Sequence, residues 1–143
     1  HYGSYDFTIG GAELLRFGSD VTIVGTGITV AMALEAADKL ATRGIQCRVL
    51  NMATLSPIDS GSLVVAARET GAIVTAEEHL SHGGLGSVVA QVLGEQSPVP
   101  LRQVALKGYA ESGSAEALLE KCGLTASGIQ AAVEEVLTRK GRR

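Results

Sequence analysis

The densest group of side chains that could do chemistry lies in one short stretch and consists of Glu77, Glu78, His79 and His82. Carboxylates and imidazoles can transfer protons or bind a metal ion. Glu77 and Glu78 are adjacent at a predicted strand end, where consecutive side chains point to opposite faces, so they make a poor general acid–base pair. His79 and His82 lack the helical spacing of two metal ligands and fall in a glycine-rich loop. A metal site and a single catalytic group stay open, but contact with another domain or subunit is favoured, because such a loop can reach a neighbouring surface.

A second candidate is the turn Gly25-Thr26-Gly27, which follows a β-branched run and precedes an apolar periodic segment. Backbone N–H groups at a helix start can bind phosphate. A dinucleotide fingerprint needs a third glycine three positions further on, where Val30 stands, and an acidic residue after the next strand, where Asn51 stands. The sequence therefore favours a tight strand-to-helix turn, with contact to some other anion as the alternative.

A third candidate is Gly83-Gly84-Leu85-Gly86, which also precedes a predicted helix. Successive backbone N–H groups there could form a nest for an anion or a carboxylate. Alternatively, the small residues let the helix approach the sheet closely, and this interpretation is favoured. Ser56 and Ser81 lie near the same loops, but neither is part of a Gly-x-Ser-x-Gly elbow. We therefore assign no catalytic and no cofactor-binding residue, and we predict that these three segments line a crevice or an interface.

Strand-like and helix-like segments alternate along the chain and must position these residues. Short β-branched and apolar runs predict strands at 12–17, 21–24, 45–51, 72–76 and 101–106. Helical periodicity predicts a helix at 28–43, a helix opened by Pro57, a helix after Gly83-Gly84, and two closing helices near Ser114 and Thr125. The alternation predicts an α/β fold with a mostly parallel sheet between two helical layers. Ligands of such sheets gather at the carboxyl ends of the strands, where 25–27, 51–59 and 77–86 should lie.

Length and composition limit the classes of protein that fit. The 143 residues suit one domain, with an incoming linker at 1–11, a folded domain at 12–138 and a solvated basic tail at 139–143. A net charge of −3 with 3% aromatic residues gives no support for nucleic-acid binding.

No apolar run is long enough to span a membrane and no signal peptide is visible, so we expect a cytoplasmic protein with two reduced cysteines, Cys47 and Cys122. Because the chain starts at His1 without a methionine, we expect it to derive from something longer.

Several motifs, taken in order, resemble the C-terminal domain of transketolase-like, thiamine-diphosphate-dependent enzymes. The motifs are the strand and glycine turn from Asp20 to Gly27, the segment 44–51, Thr54 to Asp59, Thr75 to His79, Gly83 to Ser87, and 108–113. Each motif alone is weak, but together they cover the chain from about residue 8 to residue 137 at the spacing of the family. The paired glutamates followed by His79 are more similar to transketolase than to related families.

The resemblance implies a three-layer α/β/α fold whose five strands are ordered 1-3-2-4-5, with strand 1 antiparallel. It also implies that the chain is part of an enzyme that transfers a two-carbon ketol unit between sugar phosphates. In the family, thiamine diphosphate and Mg²⁺ are held by upstream domains, and no glycine–aspartate–glycine motif of that site occurs here. The chain is therefore expected to serve assembly, homodimer formation or regulation, to need an upstream partner, and to be inactive in isolation.

Two alternatives stay open on the sequence alone. One is the corresponding domain of a 2-oxo-acid dehydrogenase β subunit or of deoxyxylulose phosphate synthase, which close with the same domain. The other is a free-standing anion- or nucleotide-binding module that uses the crevice. The sequence does not decide whether the upstream part is fused or separate.

Overall fold

The computed structural model describes residues 11–55, 57–80, 84–106, 119–121 and 123–141, without the side chains of His79, Leu80 and Leu106. Five strands form one sheet: β1 (Glu13–Arg16), β2 (Val21–Gly25), β3 (Cys47–Asn51), β4 (Ile73–Leu80) and β5 (Leu101–Leu106). Four helices are described with their bounds: α1 (Thr29–Ala41), α2 (Ser60–Thr70), α3 (Leu85–Gln96) and α4 (Ala126–Gly141).

The strand order is β1-β3-β2-β4-β5. Strand β1 runs antiparallel to β3, and the other neighbouring pairs are parallel. The order and the single antiparallel strand implied by the resemblance are therefore confirmed. Strands β2 and β4 lie side by side, yet β2 leads through α1 to β3 and β4 leads through α3 to β5, on opposite sides. The sheet thus reverses its winding between β2 and β4, where ligands of open α/β sheets bind.

Two apolar cores lie on the two faces of the sheet. Helices α1 and α4 cover one face and enclose residues such as Ile23, Leu40 and Ile129. Helices α2 and α3 cover the other and enclose residues such as Leu63, Ile73 and Leu85. Small and aliphatic side chains build both cores, as the low aromatic content predicts. The fold is thus the expected three-layer arrangement.

The boundaries of two elements differ from the predictions. Strand β4 continues to Leu80 instead of ending at Ala76, so Glu77 to His79 lie in the strand. Helix α2 begins at Ser60 rather than at Pro57, because the Asp59 carboxylate accepts a hydrogen bond from the Ser62 backbone at 3.0 Å and serves as the N-cap. The predicted helix near Ser114 and the thiol of Cys122 lie outside the described residues. The start of helix α4 agrees with its prediction, because the Thr125 hydroxyl accepts from the Gly128 backbone and caps the helix.

Residues 139–141, which the sequence assigns to a basic tail, are part of the last helix. Helix α4 continues to Gly141, and Arg139 donates to the Leu101 carbonyl at 2.9 Å. The Lys140 ammonium donates to the carbonyl oxygens of Asp20 at 3.0 Å and Thr70 at 2.7 Å. The basic residues therefore fasten the last helix to the sheet and to helix α2.

Cys47 occupies the core beneath α1, with no exposed surface. Burial raises the pKa of its thiol to about 11, and the nearby positive charge of Arg16 offsets only part of that rise. The thiol stays protonated near neutral pH and is a poor nucleophile. This agrees with the expectation of a buried, free cysteine.

Among the helices that the structure describes, none combines the length and apolar character needed to cross a bilayer.

Candidate functional site

Strands β2 and β3 end together at one edge of the sheet, where β4 runs past them to Leu80. Gly25, the last residue of β2, pairs with Asn51 of β3 on one side and with Ala76 of β4 on the other. The backbone of Met52 donates to the Gly25 carbonyl at 2.9 Å, which ties the loop after β3 to the end of β2. The structure therefore brings the first glycine turn, the segment after Asn51 and the segment after Ala76 to a common edge, as expected for parallel strands.

The first glycine turn is held by the hydroxyl of Thr29. Its Oγ1 accepts from the Thr26 backbone at 3.0 Å and lies 2.7 Å from the carbonyl oxygens of both Thr26 and Ala76. Gly27 has a φ of 63°, a left-handed conformation that favours glycine. The amide of Thr26 is thus used inside the chain, and so is that of Val30, which donates to the Gly27 carbonyl at 3.2 Å. These contacts favour a tight strand-to-helix turn over an anion site.

Glu77 is fully buried and binds the start of helix α3. One carboxylate oxygen accepts from the Leu85 backbone at 2.7 Å, and the other accepts from the Gly86 backbone at 2.6 Å. Helix α3 has no side-chain cap of its own, since its N-cap residue is Gly84. A carboxylate at this position satisfies two unpaired N–H groups and interacts favourably with the positive end of the helix dipole. The carboxylate that a nest before helix α3 would bind is therefore supplied by Glu77 of the same chain.

The alternation of the two glutamates is confirmed. Glu77 points inward, while the neighbouring Glu78 is exposed. The pairing between β4 and β5 shifts register between Ala76 and Leu80, which marks an irregularity where these glutamates lie. Such irregularities re-aim side chains at the ends of strands. The two carboxylates consequently do not converge on one reacting atom.

The remaining members of the polar cluster cannot be placed with them. His82 and Gly83 lie outside the described residues, as does the side chain of His79. Within the described part of the chain, no three His, Cys, Asp or Glu side chains are grouped closely enough to hold a metal ion. The carboxylate of Glu77 is occupied by backbone N–H groups. The described residues therefore provide no carboxylate group of the kind that holds Mg²⁺.

Gly86 shows that the close-packing interpretation also holds. A methyl group at Gly86 would lie 2.3 Å from Oε1 of Gln103 in strand β5, which is closer than real contacts allow. Gln103 pairs in register with Thr75 of β4. The Gln103 Oε1 and the Thr75 hydroxyl are buried without a hydrogen-bond partner among the described atoms. Helix α3 thus sits tightly on a polar part of the sheet.

Sequence reasoning missed Thr29, Thr75 and Gln103. Thr29 carries a recognisable signal, because a threonine three residues after Thr26, at a helix start, commonly bonds to the preceding turn. Thr75 and Gln103 lie far apart in the chain within otherwise apolar strands. Only the pairing of β4 with β5 shows that they are neighbours.

Comparison with known proteins gives consistent matches. The family model described as "Transketolase, C-terminal domain" matches residues 10–129. The 6-deoxy-6-sulfo-D-fructose transketolase subunit SqwH of Clostridium sp. (strain MSTE9) is 50% identical over 96% of this chain, which corresponds to 43% of that protein. The 1-deoxy-D-xylulose-5-phosphate synthase 1 of Geobacter sulfurreducens is 40% identical over 95% of this chain and 22% of its own length.

A solved structure extends the similarity to three dimensions. It is described as "Split gene transketolase, inactive beta4 tetramer", and it superposes with a TM-score of 0.92 at 51% identity. The superposition covers 95% of this chain and 45% of the solved chain. The chain thus spans less than half the length of each of these three proteins.

Proposed function

This chain belongs to the transketolase C-terminal domain family, and we propose that it is the assembly domain of a transketolase whose active site lies elsewhere. The complete enzyme would transfer a two-carbon ketol unit between sugar phosphates, the reaction type of pentose phosphate metabolism. When bound, thiamine diphosphate would supply the carbanion chemistry, and an upstream portion would hold it together with Mg²⁺. By "upstream portion" we mean the cofactor-binding part from the same source, whether it is fused to this chain or a separate polypeptide.

One observation carries this proposal. The crevice at the switch point is where an independent active site would be expected. Glu77 is the only fully buried acidic side chain that the structure describes, and its two oxygens are bound to the backbone of helix α3. A carboxylate held in this way organises the fold and is not free to act as a general base. The matched relatives, which are more than twice as long, support the same division of roles.

The exposed edge of the crevice is the surface we assign to assembly. Glu78 is exposed beside the buried Glu77, so it can pair with a charge on a neighbouring subunit. We propose that Glu78, with His79, His82 and the outer part of the first glycine turn at Thr26 and Gly27, contributes to a homodimer. The buried residues Gly25, Gly84 and Gly86 would shape this edge from beneath. The location of the enzyme would be the cytoplasm.

Ketol transfer tests the proposal directly. With thiamine diphosphate and Mg²⁺ supplied, activity is measured for this chain, for the upstream portion, and for both together. We expect turnover only where the upstream portion is present, and a higher rate in the mixture. Turnover by this chain alone would overturn the proposal and would make the crevice an active site.

The role of Glu78 needs a separate measurement. Glu78→Gln should weaken the association of the complete enzyme, measured by sedimentation velocity over a concentration series. Glu95→Gln is the matched control, because Glu95 is also exposed but lies near the far end of helix α3. Equal association constants for the two variants would remove Glu78 from the interface.

A second candidate follows from the similarity to 1-deoxy-D-xylulose-5-phosphate synthase. In that case, the mixture would form 1-deoxy-D-xylulose 5-phosphate instead of transferring ketol units between sugar phosphates. Product analysis of the same mixture by mass spectrometry distinguishes the two reactions.

A further inference from the structure

Part of one sheet face is not covered by the helices that the structure describes. Helix α2 packs on strands β2 and β4 and reaches β3 through the Arg48–Glu69 contact, while the edge strand β1 extends beyond it. Between α2 and β1 lies a groove of about 420 Å³. Its apolar lining comes from Leu14, Phe17, Leu50, Val65 and Ala66. We call this surface the β1–α2 groove.

The groove concentrates exposed apolar side chains. Leu14 is 54% exposed, Phe17 is 71% exposed and Val65 is 51% exposed. Among the described residues only one other large hydrophobic side chain is similarly exposed, that of Ile28 at 49%, and it does not line the groove. Isolated exposed apolar residues are ordinary, but a cluster in a concave surface is typical of a binding site.

The most exposed member of the cluster, Phe17, contacts a buried arginine. The guanidinium carbon of Arg48 lies 4.9 Å from the centroid of the Phe17 ring. Arg48 is itself buried, and it donates to the Gly18 carbonyl at 3.0 Å and to Glu69 at 2.8 Å. An aromatic ring that is fixed before binding loses little conformational freedom when a partner arrives. Phe17 therefore has the properties of an anchor in an interface.

We propose that the β1–α2 groove is the docking surface for an apolar ridge of the upstream portion. This inference rests on the proposed function and names the surface through which the two parts associate. The backbone of Ala12 donates to the Asp59 carboxylate at 2.8 Å, so the chain reaches β1 beside the first turn of α2, next to the groove. A portion attached ahead of β1 would meet this groove at high effective concentration.

A second copy of this chain fits the groove less well. Two copies related by a two-fold axis would present the same surface to each other. Where the groove lies on the two-fold axis, it faces its own copy and its lower part stays unfilled. A ridge from a different surface can fill the groove and bury Leu14, Phe17 and Val65 together.

Paired charge substitutions test the proposal. Leu14→Lys and Val65→Lys are introduced together, and Ile28→Lys serves as the control because its exposure is similar and it lies outside the groove. Binding of each variant to the upstream portion is measured by titration calorimetry. We expect the groove variant to bind about tenfold more weakly or worse, and the control to bind within about twofold of the unmodified chain. Thermal unfolding of each chain alone checks whether the exposed substitutions leave the fold intact. If the double variant does not fold, the milder variant Val65→Ser takes its place.

The outcomes separate this inference from the proposed function. If the upstream portion binds the groove variant and the unmodified chain equally well, the groove is not the docking surface, while the assembly role stands. If the groove variant changes only the self-association of the chain, the occupant is a second copy and the inference is wrong. If the unmodified chain does not bind the upstream portion and adds nothing to its activity, both proposals fail.

Discussion

The carboxylate of Glu77 lies 2.6 Å from the backbone nitrogen of Gly86, nine residues further along the chain. This contact joins the end of β4 to the first turn of α3 and spans the loop between them. Because Glu77 is fully buried, the carboxylate cannot exchange these hydrogen bonds for water without opening the fold. The start of α3 therefore depends on a side chain from another element.

Glu77→Gln should destabilise the isolated chain. The substitution removes the charge at the helix start and turns an NH₂ group toward a backbone N–H, which leaves donors unpaired. The expected loss is about 1–3 kcal/mol in the free energy of unfolding, measured by urea titration. Glu78→Gln is the control and should change the value by no more than about 0.5 kcal/mol, since Glu78 is exposed. Similar values for the two variants would show that the Glu77 carboxylate is not an essential cap.

Gly86→Ala should lower stability, although alanine favours helices. The new methyl group would meet the side chain of Gln103, while Gly94 in the same helix has open space around it. We expect Gly94→Ala to raise the free energy of unfolding by about 0.5–1 kcal/mol. The free energy of unfolding of Gly86→Ala should be at least about 1 kcal/mol lower than that of Gly94→Ala. Adding Gln103→Ala to Gly86→Ala should recover part of the loss. Two glycine variants of equal stability, compared by thermal unfolding, would contradict the close packing.

Lys140→Met should weaken the attachment of the last helix. The ammonium group binds the carbonyl oxygens of Asp20, in the turn before β2, and of Thr70, at the end of α2. Removing it is expected to cost about 1–2 kcal/mol and to increase hydrogen exchange in α4. Lys39→Met is the control, because Lys39 forms only an exposed pair with Glu35 within one helix. Unchanged exchange in Lys140→Met would restore the prediction of a solvated tail.

Asp59 should make stability depend on pH in the acid range. Burial alone would raise the pKa of Asp59, but hydrogen bonds from Ser62 and Ala12 outweigh it and hold the pKa below the ordinary value of 3.8. The carboxylate therefore stabilises the fold above that value, and the contribution is lost as the pH falls through the lowered pKa. Asp59→Asn keeps a good N-cap without the charge, so it should be less stable than the unmodified chain at pH 7 and similar to it near pH 2. Stability curves that stay parallel over this range would contradict the lowered pKa.

Much of the fold could be predicted from local patterns. The sequence predicts the strand at 101–106 with its observed bounds and the helix after the first glycine turn to within two residues at each end. Apolar period and glycine positions are local properties, which explains this success. The order of the strands came from the resemblance to a family, because periodicity does not specify which strands pair. The start of α2 was misplaced, since Pro57 is a weaker signal than the Asp59 cap that the fold selects.

The sequence by itself determined the alternation of strands and helices, the family, and the opposite orientation of Glu77 and Glu78, since side-chain direction alternates along a strand. Only the tertiary structure decided that Glu77 caps a helix and that Lys140 joins two elements. Only the tertiary structure brought Leu14 and Val65 into one groove. These relationships depend on distances between residues that are remote in the chain. Such distances are fixed when strands pair and helices pack, and no local pattern carries that information.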